Sequence, residues 1–585
     1  MIKLFKNLKP YTLTIIVVMV LVFLQSLSEI YLPTLMSDIV DTGVINGDVA
    51  YIIRIGGWMI LIAVIGMISA IFGSYWAAKV AIGFGRDLRT KVFTKVESFS
   101  LEEFDEKGTA SLITRTTNDI TQIQQGVLML RLFLRAPMLC IGSIIMAVSK
   151  DAKLSLVLVV ILLILTLLIV LLSKKSIPLF KSMQIKLDKL NLVLRENLTG
   201  IRVIRAFNRD NYEKKRFHEA NLGLTETAIK VNKLMAILMP LVMLIFNLTI
   251  IAILWFGSIR INSGSMQVGD LMAFIQYASQ IMFSLIMLAM MFILVPRASV
   301  SAIRINEVLD IEPKIKDPII SEESELKMEE GARSEEGKRG YLEFDEVSFY
   351  YQGAEEPAIE KISFSAKPGE ITAIIGGTGS GKSTLVNLIP RFYEVTSGRI
   401  LVDGVDIREL TQEKLRAKIG LVPQKAVLFT GTVAENISFG TSDLPLDKII
   451  RAAEIAQASK FISTLEQGYD SQIAQGGTNV SGGQKQQLSI ARALAKHPEI
   501  YIFDDSFSAL DFKTDAKLRQ ALKKETKEDT VLIIAQRVTT VMDADRIMVL
   551  DGGKIVGMGI HQDLIKTCEV YREIVASQLS EEEWS

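Results

Sequence analysis

Apolar residues in this chain are gathered into runs that no charged side chain enters. Pro10 to Ser28, Ile55 to Ala78, Leu154 to Ser173, Leu234 to Ile259 and Leu271 to Pro296 all lack Asp, Glu, Lys and Arg. A hydrocarbon core of ~30 Å is crossed by a helix rising ~1.5 Å per residue, so each run is long enough to span a bilayer. A sixth run, Ala136 to Ser149, reaches that length only if it extends back through Val127 to Leu134. It then takes in Arg131 and Arg135, whose stems are expected to snorkel toward the cytoplasmic headgroups. Six spans follow, over about residues 11–33, 55–78, 128–149, 154–173, 234–259 and 271–296.

The distribution of Lys and Arg orients them. Lys3, Lys6 and Lys9 precede the first span, nine Lys/Arg lie between Lys79 and Arg135, and fourteen lie between Lys174 and Lys233. The alternate connections hold only Arg54, Lys150, Lys153 and Arg260. Positive loops stay inside, so the N-terminus, both long connections and everything after the last span are expected in the cytoplasm. The N-terminal MIKLFKNLKPY has no small-residue cleavage site behind it and reads as leading into an uncleaved span. A formal net charge of zero gives no reason to expect a nucleic-acid partner. Two cysteines, Cys140 and Cys568, make neither a disulfide framework nor a metal site.

The two long connections keep a helical pattern, so the spans should continue as helices well below the membrane. Each is broken where a short transverse helix fits, at Gly108 to Asp119 and at Thr199 to Asp210. Residues 312–340 are rich in Glu, Lys, Ser and Gly and read as a linker between a membrane domain, 1–311, and a soluble domain, 341–585. The soluble part opens with the alternating strand Leu342, Phe344, Val347, Phe349 and goes on as strands interspersed with helices. That order implies an α/β sheet. The expected fold is thus an all-α six-span domain with long cytoplasmic helical extensions, followed by an α/β nucleotide-binding domain.

Within that sheet, the apolar run Ile371 to Ile375 leads into Gly376, Gly377, Thr378, Gly379, Ser380, Gly381, Lys382 and Ser383, with Thr384 next. The spacing G-x-x-x-x-G-K-[ST] lets successive backbone N–H groups converge on phosphates at the mouth of a helix. Lys382 adds a point charge for the β/γ-phosphates, and Ser383 offers a hydroxyl to Mg²⁺. The second Mg²⁺ partner should be an Asp ending an apolar strand, and Asp504 after Ile500 to Phe503 fits. Between them Ser481, Gly482, Gly483 and Gln484 open another helix, a second anion-binding end.

On these motifs the chain resembles an ATP-binding cassette half-transporter of the exporter type, over essentially its whole length. The resemblance implies that Tyr351 stacks on adenine and that Gln424 links Mg²⁺ and the γ-phosphate to the membrane helices. It makes Ser508 to Asp511 the D-loop and the transverse helices the coupling helices. It also implies two nucleotide domains closing head to tail, each ATP held by the phosphate loop of one and Ser481 to Gln484 of the other.

Two positions depart from the family pattern. Asp505 stands where a Glu usually polarises the attacking water, and its shorter side chain withdraws the carboxylate by about 1.5 Å. Gln536 stands where a switch His usually meets the γ-phosphate, and an amide carries no imidazolium charge. Gln475, where many relatives carry Glu, fits the same asymmetry. The chain therefore resembles the degenerate-site subunit of heterodimeric bacterial multidrug exporters, binding ATP at its own loop and completing a competent site on a non-identical partner.

On the sixth span Gln276, Gln280, Phe283, Met287 and Met290 fall on one helical face, a candidate lining for an adaptable cavity. The expected cargo is a small hydrophobic or amphiphilic compound moved out across a bacterial plasma membrane. The alternatives are a flippase for a lipid-like compound and an ATP-gated channel or regulatory subunit. The short stretch ahead of the first span disfavours a leader-cleaving peptide exporter.

Overall fold

A computed structural model describes residues 2–318, 339–441 and 443–580. Most of the expected linker, 319–338, lies outside the described residues. The chain divides into two compact units: Met1–Glu97 with Ala110–Ile311, and Ser98–Thr109 with Glu312–Ser585.

The first unit is built from helices alone. Those long and apolar enough to cross a membrane are Lys3–Val44, Val49–Glu97, Thr109–Lys150, Ser155–Thr199, Asp210–Asn262 and Val268–Leu288. In lipid, each backbone polar group must be satisfied within its own segment, which favours unbroken helices. Most run far beyond the bilayer. The 49 residues of Val49–Glu97 extend about 74 Å, more than twice the hydrocarbon thickness. The expected continuation of the spans is therefore present.

Small residues let the helices approach. A Cβ at Gly142 would stand 2.4 Å from Ile30 Cδ1, so a larger residue there would push the end of the Ile30 side chain aside where the third span crosses the first. Ile30, Leu139, Leu154, Ile253, Phe274 and Tyr277 form the buried cluster around that crossing.

One expected boundary is corrected. The short helix in the first connection is Leu101–Lys107, not 108–119. Ser100 caps it reciprocally with Glu103, and Gly108 ends it at φ = +73°. Residues 109–119 wind directly into the third span, because Ile120, Ile123 and Val127 extend its buried stripe. The second short helix, Ile201–Ala206, falls inside the expected stretch.

One arginine of the third span also differs from expectation. Arg135 does not snorkel: its Nη2 binds both carboxylate oxygens of Glu29 at 2.8 and 3.0 Å. Gln25 donates to the same carboxylate at 3.0 Å. A charge held among helices is offset more fully by an opposite charge at contact than by a stretch toward water.

In the second unit a six-stranded sheet has the order Lys554–Gly559, Arg546–Asp551, Ile371–Gly376, Thr530–Ile534, Ile500–Asp504, Ile419–Val422. All neighbours are parallel except the outermost pair, Arg546–Asp551 with Lys554–Gly559. Ala373 and Ile375 pack into the core on one face while Ile374 packs into the core on the other. Burial on both faces explains why these strands read as continuous apolar runs. A second, antiparallel sheet begins with Leu342–Phe349, as the alternation predicts.

Candidate functional site

Three adjacent parallel strands end together. Ile374 is in register with Ile534, and Ile534 with Asp504. The phosphate loop, the Gln536 turn and the Asp504–Asp505 pair therefore issue from the same carboxyl edge, where open α/β sheets bind ligands.

The loop runs from Gly376 into the helix Lys382–Leu388. Gly381 adopts φ = +95°, and a Cβ there would lie 2.6 Å from the carbonyl oxygen of Ala358. No side chain fits, so glycine is a steric requirement of the turn. Lys382 is buried, and its ammonium donates to the carbonyls of Gly376 at 2.9 Å and Gly377 at 2.6 Å. Burial holds it below the ordinary lysine value, with Asp504 and Asp505 opposing. The cation thus fills the cradle that its own loop forms.

Ser383 Oγ lies 3.4 Å from Asp504 Oδ1. Burial raises the Asp504 carboxyl above the ordinary range, against the Ser383 hydrogen bond. A hydroxyl and a buried carboxylate side by side are the hard-oxygen set that Mg²⁺ takes, so these residues suit the ion.

Asp505 has φ = +45°, an uncommon backbone for a non-glycine residue. Its N–H donates to Ile534 O at 2.9 Å, and its carboxylate accepts from Gln424 Nε2 at 3.2 Å. Gln536 is exposed. Its backbone is fixed from the C-terminus, since Gln578 donates to Gln536 O at 2.8 Å and accepts from Val538 N–H at 2.9 Å. Arg537 joins this turn to the D-loop by donating to Ser508 O at 3.1 Å. Tyr351 is half-exposed, its hydroxyl 3.0 Å from Thr384 Oγ1.

Ser481 caps the helix Gly482–Ala495, accepting from Gln484 N–H at 3.3 Å while Gln484 Oε1 accepts from Ser481 N–H at 2.8 Å. Ser481 and Gly482 are exposed, and Gly483 and Gln484 are partly so. Among the described residues these four make no hydrogen bond to the phosphate loop. The loop's expected companions therefore split into two groups, one assembled around Asp504 and one presented to the outside.

On the sixth span Gln276 and Phe283 are exposed and Met287 is partly buried, while the side chain of Met290 lies outside the described residues. Gln280 is engaged between helices, donating to Glu29 O at 2.9 Å and accepting from Ser143 Oγ at 2.7 Å.

Sequence reasoning missed Gln578, which no motif marks, and Tyr393. The Tyr393 ring packs edge-on against Tyr351 at 5.7 Å, and its hydroxyl donates to Asp105 of the Leu101–Lys107 helix at 2.7 Å. Asp105 is 288 positions away in sequence, beyond the reach of any local pattern.

Comparison with known proteins agrees with this geometry. Residues 15–301 match the ABC transporter transmembrane region and residues 359–508 match the ABC transporter family. The chain is 40% identical over 98% of its length, and 97% of the relative's, to an uncharacterized ABC transporter ATP-binding protein of Mycobacterium tuberculosis. It is 34% identical to a fatty acid ABC transporter ATP-binding/permease protein of Mycobacterium bovis, over 83% of this chain and 75% of that one. An ATP-dependent lipid A-core flippase of Pseudomonas fluorescens is also 34% identical, over 89% and 85%. Among solved structures, a bacterial Atm1-family ABC exporter with ATP bound superposes with a TM-score of 0.78 at 25% identity, covering 97% of this chain and 98% of that one.

Proposed function

Because the chain belongs to the ATP-binding cassette exporter family, as a half-transporter with its membrane and ATP-binding parts fused, we propose that it is the degenerate-site subunit of a heterodimer. It is a multi-pass membrane protein and an ATPase-coupled transporter. The observation that carries the heterodimer is Asp505 in the position of the water-polarising carboxylate, already engaged by Gln424, with Gln536 in the switch position. A homodimer would hold two such sites. An unlike partner carrying Glu and His would instead use the exposed Ser481–Gln484 end to complete one competent site.

The phosphate loop and Lys382 hold the nucleotide phosphates, with Tyr351 against the base. Ser383, Asp504 and Gln424 would hold Mg²⁺, which when bound neutralises charge on the phosphates. Asp505 orients water poorly for lack of reach, so this site retains ATP and supports closure more than turnover. ATP drives closure only as far as it prefers the closed state, so slow hydrolysis here prolongs that state. The Lys and Arg distribution supports a cytoplasmic ATP-binding part, and the bacterial relatives support a bacterial plasma membrane.

The proposed cargo is a hydrophobic or amphiphilic compound of the multidrug type. A lipid-like cargo is the second reading, favoured by the fatty acid and lipid A-core relatives. The test compares ATP turnover by the purified single species with turnover by the pair co-expressed with the neighbouring transporter gene product. Division of labour requires the pair to be faster by roughly the ~10²-fold that a misplaced catalytic group costs. Equal rates would refute it. ATPase stimulation by lipids but not by unrelated amphiphilic dyes would select the lipid-like cargo.

A further inference from the structure

The third span carries two guanidinium groups one helical turn apart, Arg131 and Arg135, and the fold neutralises one of them. Arg135 is paired with Glu29 at 2.8 Å. Arg131 donates to the Ser74 hydroxyl and, at 3.5 Å, to the backbone carbonyl of Ala70, both neutral acceptors. Among the described residues it forms no ion pair.

Beside Arg131 the first three membrane helices leave an apolar crevice. Its walls include Ile15, Val18, Ala77, Val80, Val127 and Leu134, with Arg131 at the edge. Trp76 packs on the adjoining cluster, and the Lys79 ammonium stands 4.9 Å from the Trp76 ring. Tryptophan and a long cationic stem are the side chains that settle at headgroup level. The surrounding Lys and Arg, from Lys9 on the first helix to Arg86 and Arg89 on the second, put this end of the helices on the cytoplasmic side.

A cation without an acidic partner at headgroup level attracts the anionic headgroups of the inner leaflet, and an anion borne by an apolar chain satisfies it while covering the apolar walls. The planar guanidinium fork matches phosphate oxygens in particular. We propose that this crevice is a binding site for an anionic phospholipid of the inner leaflet, its phosphodiester on Arg131 and an acyl chain along the partly exposed walls Ile15, Met19 and Leu130. The site uses none of the residues that hold ATP.

Native mass spectrometry of the full chain released from nanodiscs of equal parts phosphatidylglycerol and phosphatidylcholine tests it. The unaltered protein should retain phosphatidylglycerol in preference. Arg131→Gln should reduce that retention roughly tenfold or more, as expected for a lost charge-assisted hydrogen bond, and Arg131→Lys should keep most of it. Ile15→Trp, which crowds the crevice from a partly exposed wall and leaves the cation in place, should produce the same loss and decides the matter if Arg131→Gln fails to fold. Equal retention of the two lipids by the unaltered protein would overturn the site, as would an undiminished preference in Ile15→Trp. Displacement of phosphatidylglycerol by oleate would overturn the phospholipid assignment in favour of a carboxylate head.

Discussion

The side-chain amide of Gln424 donates to the carboxylate of Asp505 across 3.2 Å. In the proposed site Asp505 takes the water-activating position usually held by Glu, so it is tethered as well as short. Lengthening it should both free it and extend it. Asp505→Glu combined with Gln536→His is expected to raise turnover at this site by roughly tenfold or more. The measurement is ATPase activity of the pair whose partner phosphate loop has been disabled by mutation; no gain there would show that the two positions do not limit the rate.

Lys382→Ala removes the ammonium that donates to the carbonyls of Gly376 and Gly377. Charge-assisted hydrogen bonds contribute ~1.5–3 kcal/mol, so ATP affinity at this site should fall on the order of ten- to a hundredfold. Titration with a fluorescent ATP analogue reads this directly. Folding should survive, because the loop residues Gly377 to Gly379 beside it are exposed.

Tyr393 connects Tyr351 to Asp105, and burial with the Asp105 hydrogen bond raises its phenol above the ordinary value. Tyr393→Phe keeps the ring and removes the hydroxyl. Asp105 is exposed and water can replace the lost donor, so the change should cost about 0.5–1.5 kcal/mol. ATP binding should persist while stimulation of ATPase by transported compounds weakens. Melting curves and stimulated ATPase rates, measured on one preparation, separate the two effects.

Glu29 and Arg135 form the ion pair between the first and third spans. Removing one partner of a fully buried pair costs about 3–5 kcal/mol and replacing both is far milder; these side chains are 20% and 32% exposed, so a smaller cost with the same ranking is expected. Glu29→Gln alone should therefore lower the melting temperature in detergent more than Glu29→Gln with Arg135→Gln. A double variant no more stable than the single one would show that the pair contributes little.

His561 Nδ1 lies 2.7 Å from the Tyr571 hydroxyl, and burial lowers its pKa from 6.5, with Asp543 opposing. A folded-state pKa below the unfolded value means that the unfolded chain takes up the proton more readily. Stability from this group is complete above pH 6.5 and declines as pH falls through that value toward the lower folded one. His561→Gln should flatten the loss of melting temperature between neutral and mildly acidic pH.

The chain's local order was legible because its causes are local. Charge-free runs from Pro10, Ile55, Leu154, Leu234 and Leu271 are long enough to leave water only as membrane helices, and G-x-x-x-x-G-K-S has few backbone solutions besides a phosphate cradle. Asp505 and Gln536 could be flagged by position alone. The tertiary structure decided what spacing does not encode: that Leu101–Lys107 forms the short helix, that Arg135 meets Glu29 while Arg131 meets no acid among the described residues, and that Gln578 holds the Gln536 turn. These pairings join residues far apart in sequence, and their energies depend on distance and on exclusion of water. Only the packed chain sets those two quantities.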